Sequence, residues 1–133
     1  MIRANELRLG NVIYLQNKPI KVNIDTLNRI LNPEYSGNIK FKDQYKPIEL
    51  TEEILLKCGF ECYAESGVSK GFSIGVNPVT NDYILTLTWL KEIFNNNLDN
   101  YPFYRNGYHV IKYLHQLQNL YFALTGQELE INL

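Results

Sequence analysis

Basic residues are not in excess: thirteen Lys and Arg stand against fourteen Asp and Glu, for a formal net charge of −1. Proteins that grip a nucleic-acid backbone use cations to neutralise phosphates, so the overall charge gives no nucleic-acid signal. No run of about 18 apolar residues occurs, which excludes a helical membrane span. The opening residues Met1-Ile2-Arg3-Ala4-Asn5-Glu6 lack the apolar stretch of a secretory leader, so the expected location is the cytoplasm. Cysteine occurs only twice, which fits free thiols in a reducing compartment better than a disulfide framework. The compact catalytic signatures are missing as well: no phosphate-binding glycine loop, no Gly-x-Ser-x-Gly elbow and no His-Glu-x-x-His pair. Gly67, Gly71 and Gly75 are spaced as turns and strand kinks. No cofactor is implied.

The chain does have enough apolar material for a core. It has 133 residues, 45% of them hydrophobic, the size and composition of one globular domain, taken as residues 1–133. Tyrosine occurs ten times and asparagine sixteen times. Asparagine favours turns and caps, and tyrosine, with an apolar ring and a polar tip, suits interfaces and ligand sites.

Periodicity predicts an α+β fold. Val12–Gln16 and Ile20–Ile24 read as two strands joined at Gln16-Asn17-Lys18, with Pro19 opening the second. Asp25–Leu31 fits a short helix capped by Asp25 and ended by Asn32-Pro33. Glu34–Lys46 is polar and reads as a loop, with a strand at Ile39–Phe41 as an option; Lys46–Leu50 is extended. Thr51–Phe60 carries the clearest local signal. Thr51 can cap a helix, Glu52 and Glu53 suit the positive end of its dipole, and Gly59 fits a left-handed C-terminal position. Gly71–Val76 and Tyr83–Leu90 read as strands around a turn at Asn77–Asp82. Lys91–Phe94 extends the second or makes a helical turn, and Asn95–Asn100 is a loop. Arg105-Asn106-Gly107 between Pro102–Tyr104 and Tyr108–Lys112 is a hairpin signal. Leu114, Leu117, Leu120, Tyr121 and Leu124 form one apolar stripe at helical spacing, ended by Gly126; Leu129–Leu133 alternates like a last strand. The expected architecture is an N-terminal β-hairpin or small barrel-like sheet, a short central helix, an antiparallel β-sheet, and a C-terminal amphipathic helix packed on the sheet.

Four groups of residues could carry chemistry. Cys58-x₃-Cys62 with His109-x₅-His115 falls within zinc-ligand spacing. A buried cysteine near a helix end is more often a small hydrophobe, so no metal is assigned. A Cys–His nucleophile pair would need proximity that spacing does not supply. Tyr101–His109 crowds four aromatics, one Arg and one His around a turn. Aromatic faces stack planar ligands, and Arg offers a charged fork, so Tyr104, Arg105, Tyr108 and His109 are the leading ligand-binding candidates, against a plain hairpin as the alternative. The polar side of the last helix carries His115, Gln116, Gln118 and Asn119. His115 and Gln118 are further ligand candidates, Gln116 and Asn119 interface candidates, with a solvated face as the alternative. Phe122 lies beside this polar set and suggests a second buried surface, such as a subunit contact.

Three blocks carry a resemblance: Ala4–Asn11 (Ala-Asn-Glu-Leu-Arg-Leu-Gly-Asn), Pro47–Phe60 (Pro-Ile-Glu-Leu-Thr-Glu-Glu-Ile-Leu-Leu-Lys-Cys-Gly-Phe) and Tyr113–Gly126 (Tyr-Leu-His-Gln-Leu-Gln-Asn-Leu-Tyr-Phe-Ala-Leu-Thr-Gly). Together, and in this order, they resemble a family of small hypothetical proteins of Bacteroidetes phages and prophages. They cover about a quarter of the chain; Cys62–Asn106 matches no pattern. The resemblance implies a phage or mobile-element origin and a host-cytoplasm location. It brings no activity and no catalytic residues.

The expected function is that of a non-enzymatic phage accessory protein that binds a small ligand or a partner. Sequestering a nucleotide signal in counter-defence is the specific form, and the C-terminal helix is where a homo-oligomer would form. The alternatives are a structural or DNA-metabolism adaptor that binds a protein partner and, last, a small hydrolase.

Overall fold

The computed structural model describes residues 6–31, 44–76, 83–90, 102–104 and 109–133. It is an α+β protein, with three helices and two antiparallel sheets among the described residues. The chain divides into two compact units, each assembled from two stretches. Unit 1 comprises Met1–Glu49 and Tyr113–Leu120; unit 2 comprises Leu50–Lys112 and Tyr121–Leu133.

In unit 1, strands β1 (Val12–Leu15) and β2 (Lys18–Lys21) form the expected hairpin, and β3 (Tyr45–Lys46) pairs on the other side of β1. The two turn residues both have positive φ, 50° at Gln16 and 66° at Asn17, as hairpin turns whose twist matches the strands require. Lys18, Pro19 and Lys21 lie on β2, at the sheet edge. Proline and lysine there discourage pairing with a foreign strand. Helix α1 (Ile24–Leu31) starts one residue earlier than expected, so Ile24 belongs to it rather than to the strand. Its cap is Asn23, not Asp25: Asn23 Oδ1 accepts from the Thr26 amide at 2.8 Å and from Thr26 Oγ1 at 3.0 Å. The core gathers Ile13, Val22, Ile30 and Tyr45, with Leu7, Leu15, Ile20 and Leu27 packed against it. Tyr45, expected in a loop, and Lys46, where an extended stretch was expected to begin, are drawn into the sheet by pairing with Leu15 and Tyr14.

Unit 2 is built on a five-stranded meander: β4 (Glu61–Glu65), β5 (Ser69–Val76), β6 (Tyr83–Leu90), β7 (Phe103–Tyr104) and β8 (His109–Val110), in that spatial order. Helix α2 (Glu52–Lys57) precedes it and is closed at both ends as its residues dictate. Thr51 Oγ1 accepts from the Ile54 amide at 3.2 Å. At the other end Gly59 turns left-handed (φ 91°), and the amides of Gly59 and Phe60 donate to the carbonyls of Leu56 and Leu55, a Schellman closure. Leu55, Phe60, Phe72, Leu85, Leu87 and Trp89 are buried, and each such side chain contributes about 1.5–3 kcal/mol. Phe72 and Trp89 meet edge to face, centroids 6.0 Å apart. Strand β4 was not expected. A bulge between Cys62 and Ala64 breaks its pairing with β5. The Tyr63 ring lies against Gly71, where a Cβ would stand 2.9 Å from it.

Helix α3 (Leu114–Thr125) supplies its first two turns to unit 1 and its last turn to unit 2. In unit 1 it packs on the small sheet, with Leu114 and Leu117 buried and the Leu114 amide donating to the Ile48 carbonyl at 2.8 Å. Leu124, read as part of the buried stripe, is exposed. Gly126 ends the helix with φ 70°. Leu129–Leu133 forms no strand: Leu129 is buried, and the Asn132 amide donates to the Lys57 carbonyl at 3.2 Å, anchoring the tail by one contact rather than a ladder. The readings at Asn32–Phe41, Asn77–Asp82, Lys91–Asn100 and Arg105–Tyr108 lie outside the described residues. Among the described residues, no helix is long and apolar enough to cross a membrane.

Candidate functional site

The candidates separate into two places. Tyr104 and His109 sit opposite each other in the β7–β8 register, as Phe103 and Val110 do beside them. The expected hairpin is therefore present, and the chain between the paired residues carries Arg105 and Tyr108, which lie outside the described residues.

The polar residues of α3 are in unit 1, and two of them are not on a solvated face. His115 and Gln118 are fully buried. Gln118 Oε1 accepts from the Val12 amide at 2.7 Å, and its Nε2 donates to the Gly10 carbonyl at 3.3 Å. Asn119 Nδ2 donates to the Glu6 carbonyl at 2.9 Å, while its Oδ1 accepts from Asn11 Nδ2 at 2.9 Å and Arg8 Nε at 3.2 Å. Asn11 Oδ1 in turn accepts from the Arg8 amide at 2.6 Å. Glu6–Val12 is thus clasped along one side of α3. The first and third resemblance blocks meet here, although their residues are separated by as many as 113 positions in sequence. Gln116 acts locally: its Oε1 accepts from the Tyr113 amide at 3.1 Å, one half of a capping box. Phe122 is partly exposed, and its carbonyl accepts from the Gly126 amide at 2.7 Å.

His115 differs from its neighbours. Neither ring nitrogen makes a hydrogen bond. Nε2 stands 3.6 Å from Glu6 Oε2, beyond hydrogen-bond reach but close enough to feel the charge. The ring stacks on Tyr113, 10° from parallel with centroids 5.7 Å apart. Burial pushes its pKa below the ordinary histidine value, and Glu6 opposes that shift; the neutral ring is the resting form.

The thiols are in unit 2. Cys58 is buried, and burial pushes its pKa up to about 12, so it is a packed hydrophobe and not a nucleophile. Cys62 is exposed, with Sγ 3.6 Å from the Ala64 carbonyl. Lys70 pairs with Glu52 and lies over the Phe72 ring. Its pKa is raised, chiefly by the hydrogen bond to Glu52. Among the described residues, no three His, Cys, Asp or Glu side chains gather as a metal site would need.

Unit 1 also carries an open depression of about 520 Å³ lined by Leu9, Val22, Asn23, Ile24 and Asp25. Leu9 and Ile24 are 50% and 67% exposed.

Glu6, Arg8 and Asn11 were not among the sequence-derived candidates. They read as a lead-in to β1, and no local pattern announces partners more than a hundred positions away. Compared with known protein families, curated proteins and solved structures, the chain matches none of them.

Proposed function

We propose that this chain is a non-enzymatic phage or prophage accessory protein of the host cytoplasm that acts by binding, and that its ligand is a nucleotide signal which it sequesters. The observation that carries this reading is the register of β7 and β8. Pairing Tyr104 with His109 sets these two positions opposite each other, and Arg105 and Tyr108 adjoin them in sequence. Aromatic faces suit a base, and a guanidinium suits phosphate. The resemblance of the three sequence blocks supports a phage origin. Calorimetry of the folded chain against a panel of cyclic and ADP-ribose-type nucleotides tests it. Heat from one of them, lost in Arg105→Ala and Tyr104→Ala, is the expected result; no heat from any member removes the nucleotide reading, and turnover of a member would mark a hydrolase.

A protein partner is the second reading, as for a structural or DNA-metabolism adaptor, and the exposed Leu9 and Ile24 beside the unit 1 depression favour it. Large apolar side chains at a concavity are a common form of protein contact. Partner capture from infected cells, abolished by Ile24→Asp with the fold intact, is its expected signature. A homo-oligomer through α3 would bury Phe122, and light scattering of the chain and of Phe122→Ser reads that directly.

A further inference from the structure

Among the described residues, His115 is the fully buried polar side chain of the clasp that takes no hydrogen bond from it. Gln118 and Asn119, one turn further along α3, are satisfied by Glu6–Val12, whereas neither imidazole nitrogen makes a hydrogen bond, the Glu6 carboxylate staying 3.6 Å from Nε2. Such groups are few in folded proteins. We propose that His115 is a proton-operated pin: when its imidazole takes up a proton, the contact between the first two turns of α3 and the Glu6–Val12 segment opens.

The surroundings hold the neutral ring well and the charged ring badly. The ring is 0% exposed, so an imidazolium there would lose its hydration. It sits in the first turn of a helix whose amide dipoles present positive charge. The N-terminal segment offers two ionised groups. Glu6 is the attractive one, but its side chain is 42% exposed and keeps much of its water, which weakens the attraction. Arg8, held on Asn119 Oδ1 and the Gln118 carbonyl, carries the same sign as a charged ring. On α3's own side, Tyr113 stacks on the ring without supplying an acceptor. The ionisable residues of the unit 1 strands are Tyr14 in β1, Lys18 and Lys21 in β2, and Tyr45 and Lys46 in β3, and Glu49 is bridged to Tyr113 through the backbone.

The direction follows. The closed form keeps His115 neutral, because burial lowers its pKa despite Glu6. The open form returns the ring to water, where it charges near pH 6.5. The open form therefore binds one more proton, and the opening constant rises as pH falls below that value, by up to about tenfold per pH unit. Above it the clasp stays shut.

Hydrogen exchange on the full chain between pH 7.5 and 5 reads this, after correction for intrinsic rates. The reporter is the Val12 amide, held by Gln118 Oε1; the Phe72 and Leu87 amides of the β5–β6 ladder are the reference. Val12 protection should fall with acid toward that slope while the reference holds. His115→Phe, which keeps a stacked ring without a proton site, should flatten the slope. Protection at Val12 that ignores pH, or falls equally at the reference, overturns the proposal. Should His115→Phe not fold, the wild-type ring decides by NMR titration, with His109→Gln assigning the signals. A His115 midpoint below about 6.5 that coincides with Val12 release supports the pin, and one at or above it overturns it.

Discussion

Gln118 shows how much one amide can organise. Its carbonyl takes the Val12 amide and its NH₂ meets the Gly10 carbonyl, so a single side chain finishes the backbone hydrogen bonding where β1 begins. Gln118→Met keeps the length and removes both bonds. It should cost about 1–3 kcal/mol, because Val12 is then buried without an acceptor; urea denaturation measures it, and a change under a few tenths would show that this bond carries little. The two thiols make an opposite pair. Cys58, neutral up to about pH 12 and buried, should react with a chromogenic disulfide reagent at pH 8 only after unfolding, while Cys62 reacts at once. Two fast thiols in the native protein would contradict the packing around Cys58, and Cys62→Ser tells the pair apart.

Among the elements, α2 and β4 mark the two limits of what the sequence reveals. Helix α2 was legible because everything that closes it is local: Thr51 bonds three residues ahead, and Gly59 supplies the left-handed turn that Phe60 follows. Gly59→Ala places a Cβ at φ 91° and should cost about 1–2 kcal/mol, and Thr51→Ala a further 0.5–2 kcal/mol or so. Thermal melts of the single and double variants check both, with coupling between them expected because Leu55 is bonded to both ends, to Thr51 and to Phe60. Strand β4 was not legible: all five of its residues are exposed and a bulge interrupts it, so no alternation of apolar and polar residues is left to read. The start of α1 was misread for a related reason. Asn23 and Asp25 are both good capping residues, and only the Thr26 contact separates them. In α3 the apolar stripe was visible at Leu114 and Leu117, but the burial of His115 and Gln118 depends on Glu6–Val12, a segment that no spacing rule connects to the helix. The hairpin proposed as ligand site was legible as a hairpin from Asn106-Gly107 alone; the clasp was not legible at all.

At the level of the whole molecule, neither unit is a continuous piece of chain. Unit 1 needs Tyr113–Leu120 and unit 2 needs Tyr121–Leu133. A chain ended after Lys112 keeps every strand of both sheets, yet lacks Leu114, Leu117 and Gln118. It should lose exchange protection at Val12 and Ile13, and native-like protection there would show that the clasp is dispensable. This arrangement also bears on synthesis. Proteins usually fold in the order in which they are made, but β1 here completes its hydrogen bonding only with α3. Until Gln118 has been made, 106 positions after Val12, the Val12 amide lacks the Oε1 acceptor that it has in the folded chain, so β1 stays incompletely hydrogen-bonded through that stretch of synthesis.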